Sequence, residues 1–272
     1  MTDSYFDTTD RTGFRRRTVD RDRTHPEGLS FLKTTWPLHR EHWRWIAGAF
    51  VTLVALYSVV GLALSDWFAP NAITEFDNEL AQSLADGRTE RNNDLAHWGA
   101  FMADTYVKIA ASLVIAGVML WRWRRWHEAA LVGFTLIFEA SVYATSSTIV
   151  GRPRPDVDRL LESPVATSFP SGHVAAATVY SALAVIVFWH TKAVWARALA
   201  VAASVVVALT VAWARMYQGM HFLSDVSAGI VLGLVSVWIG VRLFGRPNDA
   251  LGSDEPPRLH QHAETLDPEM VR

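Results

Sequence analysis

The chain has 272 residues and a formal net charge of −2; half of its residues are hydrophobic and 12 are Trp. A charge so close to neutral gives no electrostatic reason to bind nucleic acid, and the absence of Cys excludes disulfides and Cys-ligated metal sites. The length allows one domain or two, and the apolar content is heavy for a soluble one.

Residues 1–40 are rich in Asp, Thr and Arg with few apolar anchors, and they lack the leading apolar run of a cleavable signal peptide. Apolar runs of ~20 residues, the length that crosses a bilayer, then recur at 45–65, 100–121, 129–149, 173–190, 195–214 and 222–243. This pattern predicts an all-α integral membrane protein, a six-transmembrane-helix bundle over residues 41–244 with disordered cytoplasmic tails at 1–40 and 245–272. Cations mark alternate connections: Arg15 to Arg23 and Arg44 before the first span, Arg122, Arg124 and Arg125 after the second, Lys192 and Arg197 after the fourth, and Arg242 and Arg246 after the sixth. The connection after the first span is instead acidic, with Asp66, Glu75, Asp77, Glu79 and Asp86. The positive-inside rule puts both termini in the cytoplasm, with Trp36, Trp43, Trp45, Trp121, Trp123 and Trp126 as anchors at the inner interface.

Between the first two spans, Ile73, Phe76, Leu80 and Leu84 recur at steps of three and four. They predict an amphipathic interfacial helix over Asn71 to Ala85, either a lid for lipid substrates or an inert connector. Ionisable residues inside spans are costly and usually paired or functional. Asp104 and Lys108 share a face of the second span, and Glu139 lies at a similar depth on the third, so a Lys108–Glu139 ion pair is expected. The sharper alternative has Lys108 reaching up toward the next connection. In the last span, Gly229 and Gly233 form a Gly-x3-Gly pair that predicts close helix packing. His260 and His262, in the final tail, read as incidental.

Most of the chemistry falls between Val150 and Asp225. Gly151-Arg152-Pro153-Arg154-Pro155 supplies cations whose planar forks match phosphate oxygens. Pro170-Ser171-Gly172-His173 opens an apolar helix, and backbone N–H groups at such a start bind anions. Arg215 follows, then His221 and Asp225, four apart and on one helical face, so the carboxylate can orient the ring. Arg159 reads as part of a solvated loop. On the predicted orientation all these blocks face the outside.

These blocks resemble the type-2 phosphatidic acid phosphatase superfamily, whose pattern is Lys-x6-Arg-Pro, Pro-Ser-Gly-His, then Ser-Arg-x5-His-x3-Asp. Arg154-Pro155 matches the end of the first block, Pro170 to His173 the whole second, and Arg215, His221 and Asp225 the third. Ser147 stands where the family has Lys, and Ala214 where it has Ser. The resemblance spans Leu95 to Leu243. It implies metal-independent hydrolysis of a lipid phosphate or diphosphate, of the polyprenyl diphosphate, phosphatidic acid or phosphatidylglycerol phosphate class, at the outer membrane face and without a cofactor. It further implies that His221 is the nucleophile, oriented by Asp225, and that His173 protonates the leaving oxygen. Arg154, Arg215 and the backbone of Ser171 and Gly172 then hold the phosphate oxygens. Arg152 is the favoured donor in place of the absent Lys. A headgroup phosphotransferase or a weakened lipid-binding protein are the alternatives, and nothing in the sequence speaks to oligomeric state.

Overall fold

The structure, a computed structural model, describes residue 38 and residues 40–67, 71–124, 126–162 and 166–245. The two predicted tails lie almost wholly outside the described residues. Among those residues the chain is all-helical: α1 (Arg40–Leu62, continued by a π-helical turn Ala63–Trp67), α2 (Ala72–Asp86), α3 (Glu90–Phe101), α4 (Thr105–Trp123), α5 (Trp126–Val150), α6 (Gly172–Val179), α7 (Ser181–His190), α8 (Val194–Tyr217) and α9 (Leu223–Phe244). Six helices are long and apolar enough to cross a membrane, with α6 and α7 together making the fourth. The chain is a multi-pass membrane protein.

α5, α6 and α9 form the inside of the bundle, while α1, α4 and α8 turn much of their surface outward. No hydrophobic force separates a helix from lipid, so packing rests on close contact between small residues. The Gly229–Gly233 pair supplies that contact. A Cβ at 229 would lie 2.6 Å from the Ser171 carbonyl oxygen, and one at 233 would lie 2.5 Å from Thr178 Cβ. α9 thereby clamps the start of α6, and the second and third sequence blocks meet. At the other end of the bundle, His190 stacks on Trp123 at 4.1 Å and bonds Glu128 at 2.9 Å, tying α7 to α4 and α5.

The connection between α1 and α4 departs from expectation. α2 forms as predicted, started by Asn71, whose side chain accepts from Ile73 and Thr74 while Thr74 returns a bond to the Asn71 N–H. Its buried face, however, is Thr74, Asp77 and Ala81, and Ile73 and Phe76 point outward. α3 was not foreseen. Thr89 caps it, and it packs on α8 with Gly99 so close that a Cβ there would meet Ala214 Cβ at 3.1 Å. Residue 100 therefore belongs to α3, and the second span starts only at Thr105, after Asp104. The expected Lys108–Glu139 ion pair does not form either: both Glu139 carboxylate oxygens are buried without a hydrogen-bond partner among the described residues.

Candidate active site

α5 ends at Val150, and Gly151 turns the chain with φ +62, a left-handed conformation that a Cβ disfavours. The loop that follows is stitched across itself: Ser168 N–H donates to the Arg152 carbonyl at 2.8 Å, and the Ser168 hydroxyl to the Pro153 carbonyl at 2.8 Å. Ser147 joins this stitching through a 2.7 Å bond between its hydroxyl and that of Thr167, so it tethers the loop and brings no charge.

Arg152, the favoured stand-in for the absent Lys, is turned to carboxylates. It is buried, with Nη1 donating to Asp225 Oδ1 at 2.6 Å and Ser224 Oγ at 2.7 Å, and Nη2 to Asp77 Oδ2 at 3.1 Å. Its guanidinium also lies 4.3 Å from the centroid of the Phe222 ring. Two buried carboxylates share the same fork and occupy both of its terminal nitrogens. Asp77 further accepts from the Ser224 N–H at 3.1 Å and from the Ser224 hydroxyl. α2 is thus bound to the start of α9.

Arg154 and Arg215 both lie within electrostatic reach of His221. Arg154 is partly buried and donates to the Met220 carbonyl at 2.7 Å. Burial is the main cause holding its guanidinium below the usual Arg range, and the charge of Arg159 adds to it. Arg159 itself is exposed. Arg215 is buried and donates to Gln218 Oε1 at 3.1 Å, while its Nε–H has no acceptor. The two guanidiniums lie within electrostatic reach of each other. Ala214, beside Arg215, is wholly buried against Gly99 of α3, a contact that suits the small residue found there.

At the start of α6, the Ser171 N–H is already taken by the Asp225 carbonyl at 3.1 Å. The expectation that Ser171 offers its backbone is corrected accordingly: its hydroxyl is the group left buried without a partner. The N–H groups of Gly172 and His173 open the helix and have no intrahelical acceptor. Gly172 is obligatory, because a Cβ there would lie 2.9 Å from the ring carbons of Tyr143. Tyr143, on α5, is within electrostatic range of both Arg154 and Arg215. The sequence reading missed it, although it sits one helical turn before Ser147.

His221 is buried, and its Nδ1 lies 2.7 Å from the Ser168 carbonyl oxygen. A carbonyl only accepts, so Nδ1 carries the proton and Nε2 keeps a free lone pair. Asp225 Oδ2 is 3.9 Å from the same Nδ1, too far for a hydrogen bond, and accepts instead from the Phe222 N–H at 2.8 Å. The ring is therefore oriented by Ser168, and Asp225 acts through the backbone around it. Burial, then the guanidiniums of Arg215 and Arg154, push His221 well below the usual imidazole range, so it is a neutral base. On the opposite flank, His173 Nε2 lies 3.3 Å from Asp104 Oδ1. Asp104, expected inside the second span, stands instead just before it as the N-cap of α4.

Two buried donors without acceptors among the described residues, two mutually repelling guanidiniums and an open helix start can together hold one anion. A neutral imidazole lies beside them. Residues 128–249, which hold every motif block, match the PAP2 superfamily model. That segment, and with it all three motif blocks, is of the PAP2 superfamily type. Among known proteins, it is 26% identical over 169 residues to the Escherichia coli (strain K12) protein YbjG, which carries the name of an undecaprenyl-diphosphatase; the match covers 56% of this chain and 81% of that protein. Its fold is like that of the crystal structure of a transmembrane PAP2 type phosphatidylglycerolphosphate phosphatase from Bacillus subtilis. That match has a TM-score of 0.62 at 21% identity and covers 70% of this chain and 93% of the other. Aquifex aeolicus LpxE aligns with a TM-score of 0.48 at 23% identity, over 60% of this chain and 93% of the other.

Proposed function

We propose that this protein hydrolyses a lipid phosphate or diphosphate at the outer membrane face through a phosphohistidine on His221. The observation that carries the reading is the Nδ1–H bond of His221 to the Ser168 carbonyl at 2.7 Å, which fixes the tautomer and leaves Nε2 as the nucleophile. In this scheme Nε2 attacks phosphorus while Arg154, Arg215, the Ser171 hydroxyl and the N–H groups of Gly172 and His173 hold the equatorial oxygens. Charge gathers on those oxygens in the transition state, where fixed donors have most effect. His173 gives its proton to the leaving oxygen, then takes one from the water that hydrolyses the intermediate. Asp225 and Arg152 keep the His221 segment in register and do not touch substrate.

Phosphate release by purified protein with EDTA present tests this, using undecaprenyl diphosphate, phosphatidic acid and phosphatidylglycerol phosphate. Release from at least one supports hydrolysis; transfer of the phosphoryl group to a second lipid with no free phosphate contradicts it. The face is tested with Cys introduced at the exposed positions Leu160 and Lys192. An impermeant thiol reagent labels Leu160→Cys in intact cells and leaves Lys192→Cys untouched; the reverse moves the site to the cytoplasm.

A further inference from the structure

Asp104 meets His173 just before α4 begins, and the residue one turn further on is more unusual. Lys108 donates its N–H to the Asp104 carbonyl at 2.9 Å, so its side chain leaves the helix on the face that meets His173. That side chain is partly buried and makes no hydrogen bond or ion pair among the described residues, although it lies within electrostatic reach of both His173 and Glu139. An ammonium inside a membrane span without a carboxylate is costly unless something anionic comes to it. α4 packs along α5 and makes no comparable contact with α8, and Tyr106, Ile109 and Leu113 face outward. Lys108 thus stands one turn beyond the Asp104–His173 contact, on the helix that turns apolar side chains outward.

The proposed mechanism gives that position a meaning. Attack by His221 drives the leaving oxygen off on the far side of phosphorus, toward His173. In a phosphate monoester that oxygen belongs to an uncharged alcohol. In a diphosphate it belongs to a second phosphate, which is anionic and continues into the lipid chain. Arg154 and Arg215 serve the terminal phosphate; a second phosphate needs a cation of its own, nearer the bilayer. We infer that Lys108 binds the lipid-proximal phosphate, so that the site prefers diphosphates of lipid alcohols over phosphate monoesters. This inference rests on the functional reading above.

The step balances. A bond forms from His221 Nε2 to the terminal phosphorus as the bond from that phosphorus to the bridging oxygen breaks. The bridging oxygen takes the proton of His173 and departs on the lipid monophosphate, held by Lys108. Water then adds to phosphorus, returns a proton to His173 and releases inorganic phosphate and free His221. Asp104, whose side chain is 50% exposed, faces the same His173 but lies at the wet mouth, where solvent screens its charge.

Purified wild type, Lys108→Met, Lys108→Arg and the double variant Lys108→Met with Glu139→Gln are compared on undecaprenyl diphosphate and on phosphatidic acid. The double variant removes the carboxylate that Lys108→Met leaves alone, so a folding defect cannot pass for a binding one. The loss of kcat/KM on the diphosphate is at least tenfold greater than on phosphatidic acid for both Met variants, and Lys108→Arg recovers most of it. Equal losses on the two lipids overturn the inference. Wild type that releases phosphate from neither lipid overturns the functional reading itself, and this inference with it.

Discussion

The two histidines stand on flanks of opposite build. On the His221 flank, Asp77, Arg152, Ser224 and Asp225 are linked in a network whose charged groups are buried, and Ser168 fixes the ring. On the His173 flank, Asp104 is half exposed, Lys108 is uncommitted, and α4 presents several large apolar side chains outward. The difference follows the proposed chemistry. The attacking nitrogen meets the same phosphoryl group in every substrate, so its surroundings can be rigid. Leaving groups vary, and the flank that receives them is open and loosely held.

The largest effects come from the histidines themselves. His221→Ala loses about 10⁴-fold or more in kcat on every substrate, as removal of a nucleophile does. His173→Ala loses about 10²–10⁴-fold on alkyl phosphates but far less on p-nitrophenyl phosphate, whose leaving oxygen needs little protonation. Equal His173→Ala losses on good and poor leaving groups erase the distinction between the flanks.

Next comes stability. Arg152→Ala strands two buried carboxylates, and breaking a buried pair costs about 3–5 kcal/mol, read as a lower unfolding midpoint in detergent with reduced kcat. Adding Asp77→Asn recovers part of the loss. Asp104→Asn, on the open flank, changes stability by less than about 1 kcal/mol, the range of exposed pairs. If Arg152→Ala is as stable as wild type but fails to bind phosphate, Arg152 is a substrate ligand and the rigid flank is misread.

The smallest effect is a titration. His221 sits well below its ordinary value of 6.5, so its ring is neutral with the proton on Nδ1 at pH 6, as histidine ¹⁵N shifts would report. The unfolded chain binds that proton as pH falls below 6.5 while the folded one does not, so stability is full above this pH and declines below it. A charged His221 ring at pH 6 would contradict the burial argument.

Much of this was legible in the sequence because it is local. Spacing alone put His221 and Asp225 close together, although His221 precedes α9 and does not share its helical face, and Gly229 and Gly233 announced the close contact that joins α9 to α6. The span edges were less legible where small residues occur on both sides of a break. Ala96, Gly99 and Ala100 pack inward from α3, and residue 100 merged with the apolar run that follows. Arg152 was misplaced for a different reason. A guanidinium in a motif loop fits phosphate or carboxylate equally, and its partner Asp77 lies 75 residues away. The orientation of His221 by a backbone carbonyl leaves no trace in residue types at all.

The central claim is a covalent intermediate on His221, and rapid quenching with a terminally ³²P-labelled lipid diphosphate tests it most directly. Wild type gives a protein-bound label that is stable to base, lost in acid and chased by unlabelled substrate, and His221→Ala gives none. Label of the same kind on His221→Ala, or full turnover by wild type with no labelled protein at any quench time, would contradict the account.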